Sequence, residues 1–261
     1  MVEYEHPPAR SGFYRAPYLL DIFFWKNGGF MFDRLELLIG KENLLKIMNT
    51  KVLVVGIGGV GGSVVTSLVR SGIKDIVVID FDTVDITNLN RQVVAYQSTI
   101  GMKKTTVMEK LVHEINPECN IKSYDLFLTS ENIKEILERE NPHYIIDACD
   151  SKDTKKAIIL EAIKRKIKFI SSMGTGNKMD PSKLEITDIR KTINDPLARI
   201  FRKWVKDNKI NNKIPVLCSK EVPKNRGKVV SSNSFVPNSA GLLISSYIIN
   251  DIVENTINME G

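Results

Sequence analysis

The stretch from Lys51 to Asp82, KVLVVGIGGVGGSVVTSLVRSGIKDIVVIDFD, constrains this chain more than any other. Lys51 to Val55 is a short β-branched run of the kind buried parallel strands use. Gly56, Gly58 and Gly61 follow at G-x-G-x-x-G spacing, with Gly59 between them. That spacing serves a tight turn, backbone approach to a phosphate, and close helix–strand packing. A helix starting there aims unpaired N–H groups and partial positive charge at an anion. Asp80 stands 24 residues after Gly56, closing a second apolar run, where a carboxylate can meet ribose hydroxyls. The stretch predicts a nucleotide-binding α/β unit and leaves the nucleotide open.

The remaining periodicity extends this unit. Helices are predicted over about 102–115, 132–140 and 154–165, and strands over 121–124, 144–148 and 168–172. Such alternation gives a Rossmann-like, doubly wound, mostly parallel sheet with helices on both faces. Ahead of it, Phe32 to Met48 has helical spacing that Gly40 should break in two. From Gly174 the pattern changes. Leu184 to Ile189 alternates like an antiparallel strand, so antiparallel strands should continue the sheet. Asp195 caps a helix with Pro196 at its first position. Ile214 to Cys218 reads as a strand and Pro237 to Asn255 as a last helix.

Composition narrows the partners. The net charge is +6, yet Arg190 to Lys228 holds twelve Lys/Arg against three Asp/Glu, so the excess is local. A block like this suits a polyanion, nucleic acid first, or is simply a solvated loop. Within it Arg199, Arg202, Lys203 and Lys206 share one helix face, the candidate for contact with nucleic acid. Three cysteines without a C-x-x-C pair argue against a disulfide framework and a four-cysteine zinc site. Met1 to Arg10 has no signal-peptide character, and no apolar run nears the roughly 18 residues of a membrane span. A cytoplasmic setting is expected.

The residues after Asp80 decide between nucleotides. The chain carries Asp82, Asn88, Asn90, Arg91, Gln92, Lys104 and later Asp147-x-x-Asp150-Ser151. Together with GIGGVG and Arg34, this set resembles the ubiquitin-activating-enzyme-like adenylating family that includes ThiF and MoeB, over about Arg34 to Ile252. Within it, INPECNI (115–121), KTINDPL (191–197) and SKEVP (219–223) are most similar to the tRNA threonylcarbamoyladenosine dehydratases, the TcdA or CsdL group.

The resemblance implies ATP chemistry on a tRNA: ATP-driven cyclisation, by loss of water, of the threonylcarbamoyl group on the adenosine next to the anticodon. It places Gly56, Gly58, Gly59, Gly61, Asp80, Asp82 and Asn88 on the nucleotide. It puts Arg91 and Lys104 on the phosphates, Asp150 on Mg²⁺, and Arg34 on the phosphates of a neighbouring subunit, hence a homodimer. A sulfur-relay protein partner is also compatible with it. The expected organisation is an irregular arm over 1–30, an ATP-binding domain over 31–175, and a basic, tRNA-facing subdomain over 176–261 completing the same sheet. Lys155 fits the basic position after DxxDS. Cys218 ends an apolar strand and reads as a packed thiol, although sulfur-carrier-activating relatives use a cysteine in this region; Cys119 and Cys149 read as structural. The alternatives are an enzyme that adenylates the C-terminal glycine of a ubiquitin-like sulfur carrier, a nicotinamide dehydrogenase, and a non-catalytic RNA-binding module.

Overall fold

The computed structural model describes residues 31–224 and 230–254. The N-terminal arm expected over 1–30, and Arg226 and Lys228 of the basic block, lie outside the described residues. The chain opens with helices α1 (Asp33–Ile39) and α2 (Lys41–Met48), separated by Gly40 at φ +82°. Then follow β1 (Lys51–Val55), α3 (Gly59–Arg70), β2 (Asp75–Asp80), α4 (Lys104–Ile115), β3 (Asn120–Asp125), α5 (Asn132–Glu140), β4 (Tyr144–Asp147), α6 (Lys152–Arg165) and β5 (Lys168–Ser172). The remainder is β6 (Leu184–Asp188), α7 (Pro196–Asp207), β7 (Pro215–Ser219) and α8 (Phe235–Glu254).

Among the described residues, seven strands form one sheet in the order β3-β2-β1-β4-β5-β7-β6. Every pairing is parallel except β6 with β7, so the antiparallel continuation is a single edge strand. Strands buried on both faces explain the apolar runs without alternation. Val52, Val54, Ile76, Val78 and Ile146 face a core built with α3, α4 and α8. Leu53, Val55, Val77, Ile79 and Ile145 face a second core built with α5, α6 and α7. Each fully buried Ile or Leu of these layers contributes about 1.5–3 kcal/mol.

The strand order reverses between β1 and β4, and a crevice opens there at the carboxyl ends, as open α/β sheets demand. Two contacts fix its shape. Gly241 of α8 packs so tightly on α3 that an added Cβ would lie 2.6 Å from the Val60 carbonyl oxygen. That brings Pro237 to the rim of the crevice, against Gly59. On the opposite side, the Asp195 carboxylate accepts the Ala198 N–H at 2.8 Å and caps α7, as its sequence requires. Helix boundaries differ slightly from expectation for local reasons. α6 starts at Lys152 because the Ser151 hydroxyl caps it through Thr154. α4 starts at Lys104 because Lys103 is drawn into a bridge with Thr83.

Candidate active site

The crevice is a cavity of about 750 Å³ above β1, β2, β4 and β5. Its floor is the glycine turn. Gly56 sits at φ +88°, where an added Cβ would lie 2.7 Å from the Ala148 carbonyl oxygen. A Cβ on Gly61 would fall 1.8 Å from the Gly56 carbonyl oxygen, so neither position admits a side chain. Gly58 provides no side-chain cap, which leaves the first N–H groups of α3 directed at the cavity.

Asp80, 8% exposed, lines the same floor. Its carboxylate accepts the Ile57 N–H at 2.5 Å and the Asp82 N–H at 2.8 Å. The acid therefore fastens the glycine turn to the end of β2, besides facing the cavity. Asn88 is buried there too, closing a reciprocal cap with Asp85.

The two expected cations both reach the cavity. The Arg91 guanidinium donates to the Thr87 carbonyl at 2.8 Å and to Asn90 Oδ1 at 2.9 Å, which fixes its plane. Lys104 is 5% exposed, and its Nζ lies 2.8 Å from Asp82 Oδ2. Asp82 is half-exposed, so this pair is open to exchange for a more strongly anionic ligand. Asp150 lines the cavity with an exposed carboxylate and has no hydrogen-bond partner among the described residues. Among those residues no group of three or more His, Cys, Asp or Glu could hold a metal ion, so a metal here would need ligand oxygens from a substrate.

Lys155, at the basic position after DxxDS, does not line the cavity. It is 1% exposed beneath the cavity, donating to both Asp147 oxygens at 3.0 and 3.1 Å and to the Ser172 carbonyl at 2.8 Å. Asp147 also accepts from Ser171 Oγ and the Cys149 N–H, which shapes the turn presenting Asp150.

The other sequence candidates separate. Arg34 is exposed on α1 and is not among the residues lining the cavity. α7 begins at the cavity through Leu197 and carries Arg199, Lys203 and Lys206 exposed. Arg202 is half-buried, its guanidinium on the Thr192 carbonyl and hydroxyl at 2.8 and 2.6 Å. Cys218 is buried; burial, with Glu185 and Asp195 nearby, pushes its thiol up to about 11. Burial likewise pushes Cys119 up to about 12 and raises Cys149.

Sequence reasoning missed two features. Phe81 and Phe127 meet edge-to-face at the cavity, centroids 5.0 Å apart. Lys178 and Asp195 form a buried pair at 2.9 Å behind Gly174, which joins the cavity wall to α7. Both unite residues distant in sequence, and no local pattern announces them.

Comparison with known proteins follows this geometry. The sequence model of the ThiF family matches residues 32–219. The chain is 38% identical over 242 residues to the tRNA threonylcarbamoyladenosine dehydratase of Bacillus subtilis, covering 86% of this chain and 95% of that protein. It is 38% identical to the Escherichia coli protein of the same name over 171 residues, 66% of this chain and 63% of that protein. The crystal structure of the E. coli dehydratase, TcdA, in complex with ATP superimposes with a TM-score of 0.82 at 31% identity, covering 87% of this chain and 96% of that one.

Proposed function

The chain belongs to the ThiF family, and from that premise we propose that it is an ATP-dependent tRNA threonylcarbamoyladenosine dehydratase. One observation carries the reading: a single cavity gathers the N–H groups of the glycine turn, Arg91, Lys104 and the open carboxylate of Asp150. Hydride transfer needs none of the last three. Attack at a phosphate needs cations and N–H donors, because negative charge builds on the phosphoryl oxygens.

In this reading ATP is a substrate. Its ribose meets Asp80 and its phosphates lie over Gly56 to Gly61, with Asn88 as an orienting contact. Arg91 enters already oriented by Thr87 and Asn90, so little order is lost on binding. Lys104 is released from Asp82 to the phosphates. The threonyl carboxylate forms a bond to the α-phosphorus as the bond to pyrophosphate breaks, with the electron pair leaving on pyrophosphate. A nucleophile within the same modification then attacks the acyl carbon, loses its proton, and expels AMP. The net change is loss of water. Because the nucleophile is internal, orientation supplies much of the rate and no enzyme thiol is required, in keeping with the burial of Cys218. Asp150 fits Mg²⁺ as a hard oxygen ligand shared with phosphate oxygens, and the ion would supply charge neutralisation there.

Two partners complete the proposal. Arg199, Lys203 and Lys206 would face tRNA phosphates along α7, while Arg202 holds the Thr192 turn. A second copy of the chain would cover α1, where Leu37 and Leu38 are 88% and 80% exposed beside Arg34, and would bring that arginine to the neighbouring cavity. No helix among the described residues is long and apolar enough to cross a membrane.

The test incubates the protein with ATP, Mg²⁺ and tRNA carrying the open modification, then weighs the digested nucleosides. Loss of one water from the modified adenosine is expected. An unchanged mass across several tRNAs, with an active control enzyme beside it, refutes the reading. Pyrophosphate exchange that appears only with a Gly-Gly-ended carrier protein would favour the carrier-activating alternative.

A further inference from the structure

Two buried charges behind the cavity wall take no part in the chemistry above. Lys178 and Asp195 are each 2% exposed, with Nζ 2.9 Å from Oδ2, and neither lines the cavity. Their contacts join three elements. Lys178 Nζ also donates at 2.8 Å to the carbonyl of Gly174, in the wall that follows β5. Asp195 Oδ1 accepts the Ala198 N–H and caps α7, while Oδ2 lies 3.2 Å from where a Cβ on Gly174 would stand. The Lys178 carbonyl accepts from Asn233 Nδ2 at 2.7 Å. Asn233 Oδ1 in turn accepts the Val236 N–H at 2.9 Å, in the first turn of α8.

A buried ion pair is a weak way to stabilise a fold. Taking two charges out of water offsets most of their attraction, and a well-packed apolar pair in the same place is often as stable or more so. What an apolar pair lacks is direction, because hydrogen bonds fix both distance and angle. Here directed bonds hold Gly174, the start of α7 and the start of α8 in one frame. Two ends of that frame bear on function. Gly174 to Gly176, and Leu197 at the start of α7, line the cavity. Arg199, whose N–H bonds to the Asp195 carbonyl at 3.0 Å, begins the exposed cations that continue through Lys203 and Lys206. A polymer held along α7 reacts in the cavity only if the two are in register, and a misplacement of about 1 Å can cost about a hundredfold in rate.

We propose that Lys178 and Asp195 are positioning residues that set α7, with the RNA along it, against the cavity, so that the threonyl carboxylate meets the α-phosphorus. The assignment rests on the reading of the cavity as an ATP site and of α7 as the tRNA face. The pair touches neither substrate and acts through Gly174 and the cap of α7. Its loss is therefore read in the rate at saturation and not in affinity.

The test compares wild type, Lys178→Met, Asp195→Asn and the double variant. Four quantities are measured: melting temperature, affinity for ATP with Mg²⁺, affinity for tRNA carrying the open modification, and turnover of that tRNA with both substrates saturating. Each single variant is expected to melt lower, because it strands one buried charge. The double variant strands none and keeps an amide oxygen at position 195 to cap α7, so its melting temperature is expected to return toward wild type. Its two affinities should stay within about twofold, since Arg91, Lys104 and the cations of α7 are untouched, while its turnover at saturation falls about a hundredfold. Stability regained without rate is what a merely structural pair would not give. Turnover of the double variant at the wild-type rate overturns the assignment and leaves the functional reading standing. A rate that saturating tRNA restores overturns it too, since that is recruitment and not positioning. A rate lost in step with ATP affinity also overturns it, as a structural role. A wild type that binds ATP but leaves the modified tRNA unchanged overturns the functional reading and this assignment with it.

Discussion

At the scale of single residues, burial decides which ionisable groups can do chemistry. Lys155 and Lys104 are both buried lysines, but Lys155 is spent on Asp147 and the Ser172 carbonyl, whereas Lys104 leans on an acid that is itself half-exposed. Replacing Lys155 with Met strands the Asp147 carboxylate in the interior and should cost about 3–5 kcal/mol, read as a lower urea midpoint. Replacing Arg91 with Ala should instead leave the midpoint within about 0.5 kcal/mol, the usual range for a half-open site. Turnover should then fall by roughly two orders of magnitude, as for loss of one preorganised phosphoryl donor. Cys218→Ser separates the two cysteine readings. With its thiol buried and pushed up to about 11, the variant should turn over tRNA at a rate near wild type. A thousandfold loss would instead restore Cys218 as a nucleophile.

At the scale of elements, the close contact of α8 with α3 holds one rim of the cavity. Gly241→Ala must push the helices apart, since its Cβ would lie 2.6 Å from the Val60 oxygen. A loss of about 1–3 kcal/mol is expected, with weaker ATP binding as Pro237 shifts from Gly59. α7 carries the other element-scale prediction. Neutralising Arg199, Lys203 and Lys206 together should weaken tRNA binding and flatten the slope of log affinity against log salt by about two to three units. ATP affinity should hold. At the opposite end of the sheet, α5 delivers Glu140 into a site where its side chain is fully buried. Burial alone would raise its pKa, but donors from Lys51, Tyr124 and Lys122 outweigh it and hold the carboxyl down at about 2, against an ordinary 4.5. The folded value is the lower one, so the stabilisation is complete above about pH 4.5 and drains away as pH falls toward 2. Acid unfolding monitored by circular dichroism should shift to higher pH in Glu140→Gln, and an unmoved transition would show that other carboxylates dominate.

At the scale of the whole molecule, the proposed dimer yields a mixing experiment. If Arg34 serves the neighbouring cavity, Arg34→Ala and Lys104→Met are each inactive alone. Mixed and allowed to exchange subunits, they rebuild one complete site per heterodimer and regain activity. Arg34 acting within its own chain predicts no recovery. Leu37→Asp with Leu38→Asp should yield monomers by sedimentation, since both side chains are more than three-quarters exposed.

The sequence by itself determined the α/β alternation, the extent of α5 and β5, the split at Gly40, the cap at Asp195 and the glycine turn. Each of these is a local matter: side-chain period, backbone freedom or a cap within a few residues. It also implied that Asp80, Arg91, Lys104 and Asp150 would line one crevice, because each lies at the carboxyl end of a strand, in the loop that follows or at the start of the next helix, and a parallel sheet brings such ends together. Only the tertiary structure decided what those residues touch. It turned Lys155 inward onto Asp147, fastened Asp80 to the Ile57 N–H, engaged Arg202 with Thr192, joined Phe81 to Phe127 and paired Lys178 with Asp195. Most of these contacts span stretches of chain that no short-range period encodes. Burial and pairing belong to the packed molecule, and with them the division between the residues that hold the site and those left free to act in it.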